Sequence, residues 1–342
     1  MTNRQIWLRS TPHSVPGAEH FALREAEIPA PGDGQFLVRN AYLSVDPAMR
    51  GWLLDEGNYL PRVRPGDTMR AFAVGEVIQS RHPDFAQGDH VVGLFGWQEY
   101  ALADPELILL RVTERDLPLS TALGVLGLNG VTAYFGLLDI CAPRSDETVV
   151  ISTAAGAVGS CAGQIAKTLG CKTVAITGGE EKRRRCIDDF GFDIALDYKA
   201  DPDLPGALAQ ACPEGIDCYF DNTGGPISDA VLPNLAIGGR VAICGTAALS
   251  SWAPWPLGPR VERHLLTKRA SMKGFIALDY KDRFPEAIAY IAKCVRAGDI
   301  RYFEDVLDGL DAAASSIERL YAGKNKGKLL ISLPATNETE PY

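Results

Sequence analysis

Apolar positions along the chain follow two rhythms. Up to about residue 115 they form short β-branched or aromatic runs, at 35–45, 69–79, 90–95 and 98–103. Pro31-Gly32-Asp33-Gly34, Pro65-Gly66-Asp67 and Gln87-Gly88-Asp89 punctuate these runs. Gly-Asp turns between short strands predict a barrel-like β lobe. Further on, the runs become near-continuous and apolar, at 148–152, 173–177, 194–197, 217–221, 240–244 and 271–276, with helix-length segments between most of them. Strands apolar on both faces, alternating with helices, predict a parallel sheet covered on both sides. Six such strands complete a doubly wound dinucleotide-binding domain. A helix at 284–297 and a last strand at 328–333 are expected to lead the chain back to the first lobe. The expected division is 1–125 with 299–342 for the β lobe, and 126–298 for the dinucleotide lobe.

The uncharged stretch at 120–138 is long enough to span a bilayer. It holds Gly124, Gly127, Asn129, Gly130 and Gly136 and has no basic flank, so it is read as a buried helical connector. The 342 residues exceed one comfortable core, in line with two domains. A net charge of −9 argues against a nucleic-acid backbone as partner. The first ten residues lack the apolar core of a signal peptide. All eight cysteines lie from Cys141 onward, none in a Cys-x-x-Cys pair, which predicts reduced thiols in a cytoplasmic protein.

The strongest local signal runs from Val149 to Gly159: a buried strand, a glycine turn at Gly156-Ala157-Val158-Gly159, then a helix. An alanine stands where the first glycine of the dinucleotide fingerprint usually does. The glycines let backbone approach a pyrophosphate, and the helix start supplies N–H donors and positive dipole. An NAD site would end the next strand on an acid. Here Gly178-Gly179 follows, then Glu180-Glu181-Lys182-Arg183-Arg184-Arg185. Missing that acid and carrying a cationic turn, the chain points to a 2′-phosphate and hence NADP(H). The competing account is that these cations are merely solvated. Zinc needs clustered cysteines, or Cys and His with a further ligand. With no cysteine before Cys141 and only His13, His20, His82 and His90 early on, neither set assembles, so chemistry without a metal is expected.

Three segments then carry a resemblance: 45–51 (VDPAMRG), 128–138 (LNGVTAYFGLL) and 154–160 (AAGAVGS). With 197–199 (DYK), 218–225 (CYFDNTGG), 240–245 (RVAICG), Asn325 and Gly327-Lys328, they are similar to the zinc-free medium-chain dehydrogenase/reductases. Within that family they resemble the leukotriene B4 dehydrogenase/prostaglandin reductase branch with its curcumin-reductase-like members. The resemblance implies a six-stranded Rossmann sheet joined to a mainly β GroES-like barrel. It also implies NADPH-dependent reduction of the C=C bond of α,β-unsaturated ketones and aldehydes.

Carried across, it places Gly156 to Gly159 at the pyrophosphate, Lys182 and Tyr198 at the 2′-phosphate, and Thr132 beside the nicotinamide. Asn222, Cys244, Gly245, Phe275, Ile276 and Asn325 would line the cofactor. Each has a plainer role open to it: Tyr198 ending a strand, Asn222 in a turn, Asn325 capping a loop, Cys244 as a packed thiol, Thr132 bonded to its own helix. Relatives carry hydroxyl-bearing aromatics where this chain has Ala48, Phe72 and, nearby, Ser250. The substrate pocket is therefore expected to be more apolar, with Trp52 and Trp252 as walls and Tyr59 as its remaining hydroxyl. A quinone reductase and a non-catalytic NADPH-binding relative stay open beside the enone reductase. The apolar run at 271–276 offers a pairing edge, from which a homodimer is expected.

Overall fold

Burial on both faces decides which apolar runs become a central sheet. The computed structural model describes residues 2–54, 59–249 and 256–334. They divide into one unit of Met1–Leu123 with Glu304–Tyr342 and another of Gly124–Phe303. The first unit opens on a hairpin of β1 (Thr2–Leu8) and β2 (Phe21–Glu27), paired antiparallel along their whole length. It continues with β3 (Phe36–Ser44), the single turn α1 (Ala48–Gly51), β4 (Ala73–Ser80), β5 (His90–Gly93), β6 (Tyr100–Ala103) and β7 (Ile108–Arg111). β4 starts buried on both faces, at Ala73, Val74 and Gly75, and reaches solvent at Gln79.

In the second unit α2 (Leu128–Phe135) leads into β8 (Thr148–Ser152), α3 (Ala157–Thr168), β9 (Lys172–Thr177), α4 (Glu180–Asp188) and β10 (Ile194–Asp197). Then come α5 (Leu204–Ala211), β11 (Ile216–Asp221), α6 (Gly225–Val231), β12 (Leu235–Ile243), α7 (Glu262–Lys268), β13 (Ser271–Gly274) and α8 (Phe284–Ala297). The six strands lie in the order β10-β9-β8-β11-β12-β13, and every neighbouring pair is parallel. This is the doubly wound sheet expected from the sequence. The chain moves outward from β8 in one direction and from β11 in the other, so the strand order reverses between those two. All five residues of β8 are buried, the apolar Val149, Val150 and Ile151 between Thr148 and Ser152.

Back in the first unit are β14 (Glu304–Asp308), α9 (Ala313–Tyr321) and β15 (Lys328–Ser332). They complete a sheet ordered β14-β15-β3-β4-β5-β7, with β6 also on β3. The units meet in sequence at 123/124 and 303/304, rather than at 125/126 and 298/299. Residues beyond α8 stay with the second unit because Arg301 is held by Gln164, with its N–H donating to Oε1 (2.7 Å) and its carbonyl accepting from Nε2 (2.9 Å).

The stretch at 120–138 is not one helix. A 3-10 turn at Leu119–Leu123 closes the first unit, α2 follows in the second, and a π-helical turn covers Gly136–Cys141. Gly136 sits where α2 passes into the π-helical turn, and a Cβ there would stand 2.6 Å from the rings of both Phe220 and Phe275, so glycine lets the helix lie close against them. Among the described residues no helix is long and apolar enough to cross a membrane.

Candidate functional site

The glycine turn after β8 is built by close approach. Thr153 adopts φ 51°, an unusual left-handed conformation for a β-branched residue, and its carbonyl accepts from the Gly156 N–H at 2.9 Å. A Cβ on Gly159 would stand 2.9 Å from the Ala154 Cα, which seats α3 directly on the turn. Gly156 is the extended cap of α3, followed by Ala157 and Val158. The first N–H groups of a helix have no acceptor within it, so these residues offer donors and positive dipole at one point.

Four cations in succession follow the end of β9, and they do different things. Arg183 and Arg184 both donate to Glu180, at 2.6 and 2.7 Å, and pull that exposed carboxyl down to about 2. Arg185 pairs with Asp189 at 3.5 Å and lies over the Phe303 ring at 4.5 Å. Lys182 is different. Burial lowers its pKa first, and the nearby charges of Lys199 and Arg185 lower it further. Lys199 and Tyr198 close over Gly178, where a Cβ would stand 3.0 Å from the Lys199 Cε and 2.9 Å from the Tyr198 ring. Asp197 shapes this corner by accepting from the Gly179 and Lys199 N–H groups, at 2.9 and 3.0 Å. Two ammonium groups and a phenol gathered at one strand end could hold a dianion. Lys199 was visible in sequence only as part of a motif; its partner Lys182 lies 17 residues earlier, and strand pairing joins them.

Where the sheet order reverses, Asn222 bridges β11 to β8: its N–H donates to Ser152 Oγ (2.8 Å) and its Nδ2 to the Ser152 carbonyl (2.6 Å). Cys244 donates to Asn222 Oδ1 at 3.1 Å, and a Cβ on the next residue, Gly245, would lie 2.6 Å from the Asn222 carbonyl. Burial pushes the Cys244 thiol well up, so it is a packed hydrogen-bond donor. Thr132 bonds its own helix, donating to the Leu128 carbonyl at 2.6 Å. The Phe275 ring packs towards Gly136 and Tyr280, with Ile276 following it out of the sheet.

The remaining sequence-derived residues lie in the first unit or beyond description. Ala48 is half-buried at the start of α1. Trp52 and Phe72 are 1% and 5% exposed and meet edge to face at 6.1 Å, as core aromatics do. Tyr59 is half-exposed; burial pushes its phenol up, with the Trp52 indole and Asp46 as lesser influences of opposite sign. Asn325 caps its own loop, donating to the Gly327 carbonyl at 2.7 Å. Close by, Lys328 is 4% exposed and donates to Ser44 Oγ (2.7 Å), the Val45 carbonyl (3.1 Å) and Asp46 (2.5 Å), fixing the bend that leads to Ala48. Ser250 and Trp252 lie outside the described residues. Among the described residues no three His, Cys, Asp or Glu side chains gather as a metal site requires.

Comparison with known proteins places these features in context. Residues 4–109 match the family described as the N-terminal domain of oxidoreductase, and residues 157–293 match that described as zinc-binding dehydrogenase. The chain is 42% identical over 334 residues to the NADPH-dependent curcumin reductase of Escherichia coli, covering 96% of each. It is 37% identical to the 2-alkenal reductase (NADP(+)-dependent) of Nicotiana tabacum, covering 97% of each. The crystal structure of CurA from Vibrio vulnificus in complex with NADPH superposes with a TM-score of 0.89 at 41% identity, over 97% of this chain and 99% of that one. Fold, turn and full-length likeness agree: the chain belongs to the zinc-free medium-chain dehydrogenase/reductases, in their curcumin-reductase-like branch.

Proposed function

We propose that this protein is an NADPH-dependent reductase of the C=C bond in α,β-unsaturated ketones and aldehydes. The observation that carries the reading is full-length likeness to relatives named curcumin reductase and 2-alkenal reductase. The site chemistry supports it. Gly156 to Gly159 would receive the pyrophosphate on the start of α3, and Lys182, Lys199 and Tyr198 the 2′-phosphate. Asn222, Gly245 and the backbone near Ile276 would border the dinucleotide in the second unit. Bound there, NADPH supplies a hydride to the β-carbon of the substrate.

What remains for the chain is to steady the enolate and let a proton reach the α-carbon. Carbonyl reduction would concentrate charge on one oxygen and call for a strong donor. Ala48 and Phe72 provide none, whereas an enolate spreads its charge and is held by weaker donors. Tyr59 is proposed as such a donor: a phenol with a raised pKa stays protonated at neutral pH. The eight free thiols suit a reducing, cytoplasmic setting. A homodimer is proposed through β13, which among the described residues pairs only with β12, and Leu266 in the preceding helix is 78% exposed. Light scattering reading the mass of one chain would overturn the dimer. The reaction is tested with 4-deuterated NADPH and a simple enone: NMR should find deuterium on the β-carbon of a saturated ketone. Label on a carbinol carbon would refute C=C reduction, and turnover confined to quinones would favour a quinone reductase.

A further inference from the structure

Three strand ends are tied to one buried carboxylate. Asp221, the last residue of β11, is 3% exposed. Its Oδ1 accepts from the Thr223 and Gly224 N–H groups (both 2.9 Å), from the Tyr219 hydroxyl (3.0 Å) and, at 3.4 Å each, from Thr223 Oγ1 and Ser152 Oγ. Its Oδ2 accepts from Ser228 Oγ at 2.5 Å. Among the described residues every one of these donors is neutral, and two are backbone groups that can only donate. The main-chain carbonyl of Asp221 accepts from the Cys244 and Gly245 N–H groups (2.9 and 3.3 Å), and Ala248 N–H donates to the Thr223 carbonyl (3.0 Å). The loops after β11 and β12 and the end of β8 are thus one knot, located where the sheet order reverses. A carboxylate this buried is costly to keep without cationic help, and a neutral side chain would pack there more cheaply. Its field is felt nearby: after burial itself, Asp221 is the next cause raising the Tyr219 phenol, the Cys244 thiol and the Asp229 carboxyl.

We propose that Asp221 is a positioning residue for the dinucleotide, its carboxylate folding the 222–224 turn so that Asn222 and its backbone are fixed before the cofactor arrives. The inference rests on the NADPH reading above. Pre-forming a turn lowers the ordering cost of binding, so its effect belongs in cofactor affinity rather than in the chemical step. Asp221→Asn keeps the shape and one acceptor but loses the charge and meets Ser228 with an amide. NADPH binding, followed by the fluorescence of the reduced nicotinamide, should weaken about tenfold. The Michaelis constant for NADPH should rise in step, while kcat at saturating NADPH falls less than about threefold. NADH should lose as much as NADPH, because the turn does not recognise the 2′-phosphate.

The control is the unmodified protein. If it does not bind NADPH, the cofactor reading falls and this inference falls with it. If it binds, and a folded Asp221→Asn binds equally well, the positioning role alone is overturned. Should Asp221→Asn not fold, Ser228→Ala decides, since it frees one carboxylate oxygen and leaves the charge. Binding about threefold weaker, with melting within a few degrees of the parent, supports the role; unchanged binding refutes it.

Discussion

Lys182 is partly buried against two like charges, and that makes it a pH-dependent ligand. Its lowered pKa means that the ammonium is lost at a lower pH than in an ordinary lysine. Only the protonated form attracts a phosphate, so the Michaelis constant for NADPH should be flat below that pKa and rise above it. NADH, lacking the phosphate, should show no such rise. Lys182→Ala or Lys199→Ala should each raise the NADPH constant roughly ten- to a hundredfold, the value of one charge-assisted bond, and leave NADH use nearly unchanged. Steady-state kinetics with both cofactors from neutral to alkaline pH checks this; parallel losses for NADH would overturn it. Tyr59→Phe should lower the turnover rate only modestly, well short of the roughly 10²–10⁴-fold fall that follows loss of a dedicated general acid. A fall of that size in single-turnover rates would instead make Tyr59 the proton donor.

At the scale of elements, legibility followed local apolar pattern. The strands at 148–152 and 194–197 and the helix at 284–297 were readable to the residue. β8 is buried on both faces, and α8 shows a clean apolar stripe of Phe284, Ala287, Ile288 and Ile291. β2 and β14 were missed because charged residues interrupt both (Arg24, Glu25 and Glu27; Glu304, Asp305 and Asp308), so it is pairing with β1 and β15 rather than an apolar run that makes them strands. The cofactor turn was legible from its glycines, whereas Lys199 and Asp221 were not singled out, because the fold rather than local spacing brings their partners together. The broken connector between the units depends on Arg240 in β12. Arg240 Nε donates to the Cys141 carbonyl at 2.8 Å and Nη2 to that of Ala142 at 3.2 Å, capping the π-helical turn. It also pairs with Glu147 at 2.5 Å. Burial raises the Glu147 carboxyl, but hydrogen bonds from Arg240 and the Arg144 N–H more than offset this, and its pKa is lowered. A depressed carboxylate stabilises the fold above its unfolded pKa, and that contribution fades as pH falls through the folded value. Arg240→Met should therefore cost about 1–3 kcal/mol at neutral pH and less in acid. Urea melts at both pH values check it; an equal cost at each would show that Glu147 has no part.

Over the whole molecule, the two units are unlike in composition. The first carries no cysteine, while the second holds all eight, and seven of these are buried; only Cys244 is partly accessible. An enone is an electrophile that adds to thiolates, so a reductase of enones works in the presence of a reagent able to poison it. Burying the thiols, and raising Cys161 and Cys186 to about 12, leaves few thiolates at neutral pH to be attacked. Intact-mass measurement after prolonged exposure to excess enone should find at most one adduct per folded chain, at Cys244, and NADPH should prevent it. Several adducts before any loss of structure would contradict this. The same arrangement that looks like ordinary core packing then sets the working lifetime of the catalyst: it can turn over its own toxicant without being titrated by it.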